Sequence, residues 1–86
     1  MTKYDKVIKK YGTMTQILQA MEESGEMVVV LNHYLRGRVD VKEVMKELVD
    51  NHIMNEQMRV VFGIDEGMFE EAYNKELNKL TGECDD

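Results

Sequence analysis

Hydrophobic residues recur along most of the chain at intervals of three and four positions, the spacing that places side chains on one side of an α-helix. The clearest series comprises Met14, Ile17, Leu18, Met21, Val28, Leu31 and Leu35. It predicts a long helix from about Met14 to Arg36. Thr13, followed three positions later by Gln16, has the form of a capping box at the start of this helix.

A second series of the same spacing follows. Its members are Val41, Val44, Met45, Leu48, Val49, Ile53 and Met58. Asp40 and Glu43 repeat the capping pattern before it, and Gly63 stands after it as a stop signal. The pattern therefore predicts a second long helix between Asp40 and Gly63.

Two shorter helices are predicted at the ends of the chain. Asp65 is suited to cap a helix from about Glu66 to Leu80, and an opening helix is expected over about Lys3 to Tyr11. The run from Val28 to Leu31 resembles a buried strand, but it lies midway through a capped helical series, so we interpret it as a helix segment buried on more than one side. The expected fold is all-α, one domain over residues 1–86 with a flexible tail at 81–86, built as a bundle of two long antiparallel helices with shorter flanking helices.

The length of the chain limits the size of its core. A chain of 86 residues buries only about 60% of the surface that its unfolded form exposes. The single cysteine, Cys84, offers neither a disulfide nor a zinc site, and we assign it no role. Self-association is the remaining source of stability, so at least a homodimer is expected.

Charge and hydropathy exclude several classes of partner. The 17 acidic and 11 basic residues give a net charge of −6, which disfavours binding to nucleic acid because that requires clustered Lys and Arg. No segment approaches the ~20 apolar residues of a membrane span, and the N-terminus lacks the apolar stretch of a secretory leader. A cytoplasmic protein without membrane or nucleic-acid partners is expected.

Two acidic pairs occupy the predicted long helices. Glu23 and Glu26 are three positions apart on the first, and Glu47 and Asp50 are three apart on the second, both away from the main apolar series. If the helices pack antiparallel, the four carboxylates converge, and an all-oxygen cluster suits a hard cation such as Mg²⁺ or Mn²⁺. The alternative is that they are solvated surface charges, as most glutamates on helices are.

The order and spacing of these pairs resemble a known enzyme family. E-x-x-E at Glu23 and Glu26, then E-x-x-D at Glu47 and Asp50 after 20 intervening residues, is similar to the pattern of the MazG-like nucleoside triphosphate pyrophosphohydrolases. Flanking segments also resemble the short, phage-type members, so that the likeness covers about residues 4 to 80. These segments include residues 19–23, 34–37 and 53–58.

The resemblance implies a function, a set of site residues and an assembly as a homodimer or homotetramer. It implies Mg²⁺-dependent hydrolysis of a nucleoside triphosphate between the α- and β-phosphates, with the two acidic pairs as metal ligands. Glu22, next to them, is a candidate outer-shell group or general base. Gln16 corresponds to a glutamine near the substrate, although the capping box offers it an equally good role.

The last helix departs from the family pattern. Short relatives often carry Lys-Leu-x-Arg-Leu there, whereas this chain has Glu76 in place of the first basic residue. Lys79 is suited to replace the arginine, and Lys75 is a substitute for the missing lysine, so both are candidate phosphate-binding residues. The departure keeps open a non-catalytic helical oligomer that binds metal or nucleotide, or a partner-binding adaptor. His33 and His52 lack companions at metal-binding spacing, and solvent-facing or packing roles are expected for both.

Overall fold

The computed structural model describes residues 1–84 and confirms an all-α fold. It contains α1 (Lys3–Tyr11), α2 (Thr13–Leu35), α3 (Val41–Val61) and α4 (Glu66–Cys84), with no strand among the described residues. The helices lie where the hydrophobic spacing predicts them, and the run of valines lies within α2. α4 is longer than predicted, because it continues past Leu80 and Gly82 to Cys84. Asp85 and Asp86, the end of the expected tail, lie outside the described residues.

Two of the predicted helix caps are present. The Glu43 backbone N–H donates to Asp40 Oδ1 at 3.3 Å, and the Asp40 N–H donates to Glu43 Oε2 at 2.7 Å, which together form the capping box of α3. The Lys42 backbone N–H also donates to Asp40 Oδ1, at 2.9 Å. At α4 the Met68 N–H donates to Asp65 Oδ1 at 2.8 Å. Side-chain oxygens therefore satisfy the first N–H groups of both helices, as the sequence predicts.

The predicted capping box of α2 is wrong. α2 begins at Thr13, one residue earlier than expected. Its N-cap is Gly12, which has no side chain that could accept a hydrogen bond from the first backbone N–H groups. Gly12 has φ of +93°, a conformation that glycine adopts without steric cost, and it ends α1 and starts α2 at once. Because Thr13 is already helical, its hydroxyl does not cap the helix. The Gln16 side chain instead forms a hydrogen bond with Gln57.

α2 packs mainly against α3, and α1 contacts both. The buried residues of this contact are Gln16 and Val30 of α2 with Met54 and Gln57 of α3. Val30 and Met54 are the only buried hydrophobic residues among the described residues, at 9% and 6% exposure. Their small number shows how little apolar surface one chain removes from water.

The strongest apolar series does not form this contact. Four residues of α2 that are spaced seven positions apart point to solvent: Met14, Met21, Val28 and Leu35 are 70%, 65%, 69% and 84% exposed. We call these four residues the outer face. The series of α3 behaves similarly, since Val41 and Leu48 are 67% and 56% exposed. The expectation that the valine run is buried on more than one side is wrong within one chain, where only Val30 is buried.

α4 meets the rest of the chain near its start. The Arg59 guanidinium of α3 lies 4.1 Å from the centre of the Phe69 ring, and Phe69 and Tyr73 stack with ring centres 6.4 Å apart. Beyond this contact Leu77 and Leu80 of α4 are exposed. Across residues 1–84, none of the helices combines the length and apolar character that crossing a membrane requires.

Candidate metal centre

Three carboxylates meet where the middle of α2 faces α3. Glu23 and Glu26 stand one helical turn apart on α2, and Glu47 approaches them from α3. One oxygen from each lies within 4.8 Å of an oxygen from each of the others. The predicted convergence of two acidic pairs is therefore present for three of the four residues.

Two oxygens in this cluster are buried without a hydrogen-bond partner, namely Glu23 Oε2 and Glu47 Oε2. The second oxygen of Glu23 accepts a hydrogen bond from Gln19 Nε2 at 3.0 Å, so one side of that carboxylate is anchored. A buried carboxylate oxygen without a donor is costly, because burial removes the water that would otherwise solvate its charge. A cation bound at this point would compensate the negative charge of these two oxygens.

Glu26 is the exposed member of the cluster. Repulsion from the Glu23 carboxylate raises the pKa of Glu26 above its ordinary value, with smaller contributions from desolvation and from the charges of Glu47 and Glu22. The like charges therefore work against each other in the protein without metal.

Asn51 fixes the backbone on which two of these carboxylates stand. Its side-chain Nδ2 donates to the backbone oxygen of Glu23 at 3.1 Å and to that of Glu47, one turn earlier on its own helix, at 2.9 Å. One amide group thus joins α2 to α3 at the cluster itself. The sequence analysis did not predict this role of Asn51, because the only signal for it in the sequence is that it follows Asp50.

Asp50 lies apart from the other three predicted ligands. Its Oδ2 accepts a hydrogen bond from Lys46 Nζ at 3.0 Å, which also raises the pKa of Lys46. Asp50 and Glu23 both line a small cavity of roughly 160 Å³ beside Ile53 and Met54. Asp50 is therefore a neighbour of Glu23, held by an ion pair rather than turned into the cluster.

A larger open cavity of roughly 530 Å³ begins at the cluster. Its acidic end is formed by Glu22, Glu26 and Glu47, and its other walls by Gly25, Val29, Val30 and His33. Glu22, the candidate base, thus shares a cavity with two of the predicted ligands. His33 is half-buried in its wall, a position that its lone occurrence in the sequence did not indicate.

The three predicted substrate-binding residues lie away from this cavity's lining. Gln16 is 6% exposed, and its Nε2 donates to Gln57 Oε1 at 2.6 Å. Lys75 and Lys79 are exposed on α4 and line neither of the two cavities beside the carboxylates. Among the described residues, no lysine or arginine lines either cavity.

The residues present fit a divalent cation. Carboxylate oxygens are the donors that Mg²⁺ and Mn²⁺ prefer, and the two unpartnered buried oxygens need a positive charge or a proton. Glu23, Glu26 and Glu47 are close enough to share one ion, and Asp50 lines the small cavity together with Glu23. Comparison of the chain with known protein families, with curated protein sequences and with solved structures finds no match.

Proposed function

We propose that this protein is a Mg²⁺-dependent nucleoside triphosphate pyrophosphohydrolase of the MazG-like kind. It would convert an NTP or dNTP and water into the nucleoside monophosphate and pyrophosphate. The observation that carries the proposal is the meeting of Glu23, Glu26 and Glu47 within 4.8 Å, with Glu23 Oε2 and Glu47 Oε2 buried and unpartnered. The E-x-x-E and E-x-x-D spacing of the sequence supports the same assignment.

The proposed ligand set is Glu23, Glu26 and Glu47, with Asp50 as the fourth member once its carboxylate leaves Lys46. A bound Mg²⁺ or Mn²⁺ ion supplies positive charge for the phosphates, which an acidic protein otherwise lacks. The chain's own residues hold the ion, orient the triphosphate along the open cavity and keep the carboxylate backbones fixed through Asn51.

Glu22 is the proposed general base. It lines the cavity that begins at Glu26 and Glu47, so it can accept a proton from a water molecule placed there. The water oxygen forms a bond to the α-phosphorus, the bond from that phosphorus to the bridging oxygen breaks, and pyrophosphate leaves. Val29 and Val30 offer an apolar wall to the nucleoside, and His33 offers a polar contact.

The assembly proposed for this enzyme is a homodimer or homotetramer of four-helix chains, in each of which α2 and α3 run antiparallel. Contacts support the antiparallel arrangement, because Gln16 near the start of α2 bonds to Gln57 near the end of α3, while Glu23 bonds to the earlier residue Asn51. Within residues 1–84 no lysine or arginine lines the larger cavity, which supports a role for another subunit, since a triphosphate needs cationic contacts beyond the metal.

A panel of NTPs and dNTPs with Mg²⁺ tests the activity, with pyrophosphate and nucleoside monophosphate both measured. Glu47→Gln removes a charge from the cluster and should abolish turnover. Glu71→Gln makes the same chemical change on the exposed surface of α4 and should leave the rate unchanged. Equal rates for Glu47→Gln and the unaltered protein would contradict the proposal that these carboxylates bind the metal.

A second candidate is a protein that binds metal or nucleotide without turnover. The position of Lys75 and Lys79 favours it, because neither lines the cavities at the carboxylates within one chain. The same panel separates the two candidates. A binder shows a rise in melting temperature with Mg²⁺ or nucleotide and no pyrophosphate.

A further inference from the structure

The outer face of α2 has the period of a helix-packing seam. Its four members recur every seven residues, which is the repeat with which one helix packs along another at a shallow angle. The first and last of them are 21 positions apart, so the face is about 32 Å long at 1.5 Å per residue. In the single chain all four side chains are at least 65% exposed, so this seam has no partner.

The outer face is also free of charge. The charged side chains of α2 are Glu22, Glu23 and Glu26, and the two that belong to the cluster lie on the other side of the helix. At about 100° per residue the outer face is roughly 160° around α2 from Val30, which faces α3. Depletion of charged residues over an apolar surface is characteristic of the centre of a protein interface.

The total surface of the chain shows how much is uncovered. The accessible surface is 6967 Å², whereas a folded monomer of 10.1 kDa exposes about 5,300 Å². The excess is about 1,700 Å² per chain. Two chains that each cover such an area form an interface of obligate-dimer size, which runs from about 2,000 to 5,000 Å² in total.

We propose that the outer face of α2 docks against a second copy of this chain. The occupant is a second copy because the two apolar side chains buried among the described residues are too few to stabilise an isolated chain of this length, so the partner must be present whenever the chain is folded. Only another copy meets that condition in the pure protein. The inference identifies the surface behind the proposed assembly and does not depend on the enzymatic activity.

Light scattering of the pure full-length protein at micromolar concentration, without metal or nucleotide, tests the proposal. The expected mass is that of two or four chains. In a two-fold symmetric interface each substitution appears twice, so Met21→Lys should weaken association by about 100-fold or more and lower the mass. Thr15→Lys, on an exposed position of the same helix away from the outer face, should leave the mass unchanged.

Met21→Gln and Thr15→Gln repeat the comparison without adding charge, in case the lysine variant does not fold. The melting temperature of the unaltered protein should also rise with protein concentration, since assembly and folding are coupled. A folded monomer, a melting temperature independent of concentration, or equal masses for the Met21 and Thr15 variants would each overturn the proposal. An assembly that requires a different protein would overturn it as well. Loss of catalysis with an intact dimer would instead count against the proposed function alone.

Discussion

Gln16 and Gln57 form a buried hydrogen bond across the α2–α3 contact, with 2.6 Å between Gln16 Nε2 and Gln57 Oε1. Gln57 is 2% exposed, and its own Nε2 donates to Met54 Sδ at 3.6 Å, so the amide nitrogens of both glutamines have a partner inside the protein. The pair joins the start of α2 to the end of α3 at the position where a purely apolar contact would be expected. A role for Gln16 at the substrate would require this bond to open.

The first prediction concerns the energy of this pair. Gln16→Leu leaves Gln57 Oε1 buried without a donor and should lower the free energy of unfolding by about 1–3 kcal/mol. Gln57→Leu should have a similar effect. The double variant removes both polar groups and should be less destabilised than the sum, with a coupling of at least about 0.5 kcal/mol in a urea-unfolding double-mutant cycle. Strict additivity would show that the two amides do not act as a pair.

The positions of the helices follow from local signals in the sequence. Asp40 with Glu43 and Asp65 with Met68 satisfy the first backbone N–H groups of α3 and α4, and such caps involve residues only two or three apart. Gly82 shows the limit of this reasoning, because α4 runs through it to Cys84. Thr13 shows another, since Gly12 starts α2 one residue early.

The choice of packing face could not be predicted in the same way. The spacing of Met14, Met21 and Val28 marks an apolar face of α2, yet α2 uses the face of Val30 and Gln16 against α3. A helix with apolar residues on more than one side does not indicate which side meets which partner. The site was predictable to the extent that it depends on helical spacing. Spacing brought three carboxylates together, but it could not show the ion pair that holds Asp50 apart.

The second prediction concerns Asn51. Asn51→Leu removes the donor that holds the Glu23 and Glu47 carbonyl oxygens and should lower the free energy of unfolding by about 1 kcal/mol. It should also weaken Mn²⁺ binding, measured by electron paramagnetic resonance, because the two carboxylates lose their common anchor. The matched control is Asn55→Leu, at the exposed position one turn further along α3, which should change neither quantity. If Asn51→Leu is less stable but binds Mn²⁺ with unaltered affinity, Asn51 only holds the two helices together and does not position the metal ligands.

The third prediction concerns the ion pair between Lys46 and Asp50. The Lys46 side chain is 73% exposed, so the pair contributes little to stability, and Lys46→Met should leave the melting temperature nearly unchanged. The same change releases the Asp50 carboxylate toward Glu23 and should increase the affinity for Mg²⁺ measured by calorimetry. Lys42→Met, also on an exposed position of α3, is the control. If both variants bind Mg²⁺ equally well, Asp50 does not join the ligand set.

The last prediction concerns pH and the repulsion within the cluster. Because Glu23 raises the pKa of Glu26 in the folded protein, the fold is favoured while Glu26 is protonated and loses stability as pH rises through that raised pKa. In chelator, the melting temperature of Glu26→Gln should therefore exceed that of the unaltered protein at pH 7 and converge with it near pH 4. Mg²⁺ should stabilise the unaltered protein more than the variant, since the ion offsets the same repulsion. Glu71→Gln on α4 should follow the unaltered protein throughout. If the difference in melting temperature between Glu26→Gln and the unaltered protein stayed the same from pH 4 to pH 7, the three carboxylates would not repel one another measurably.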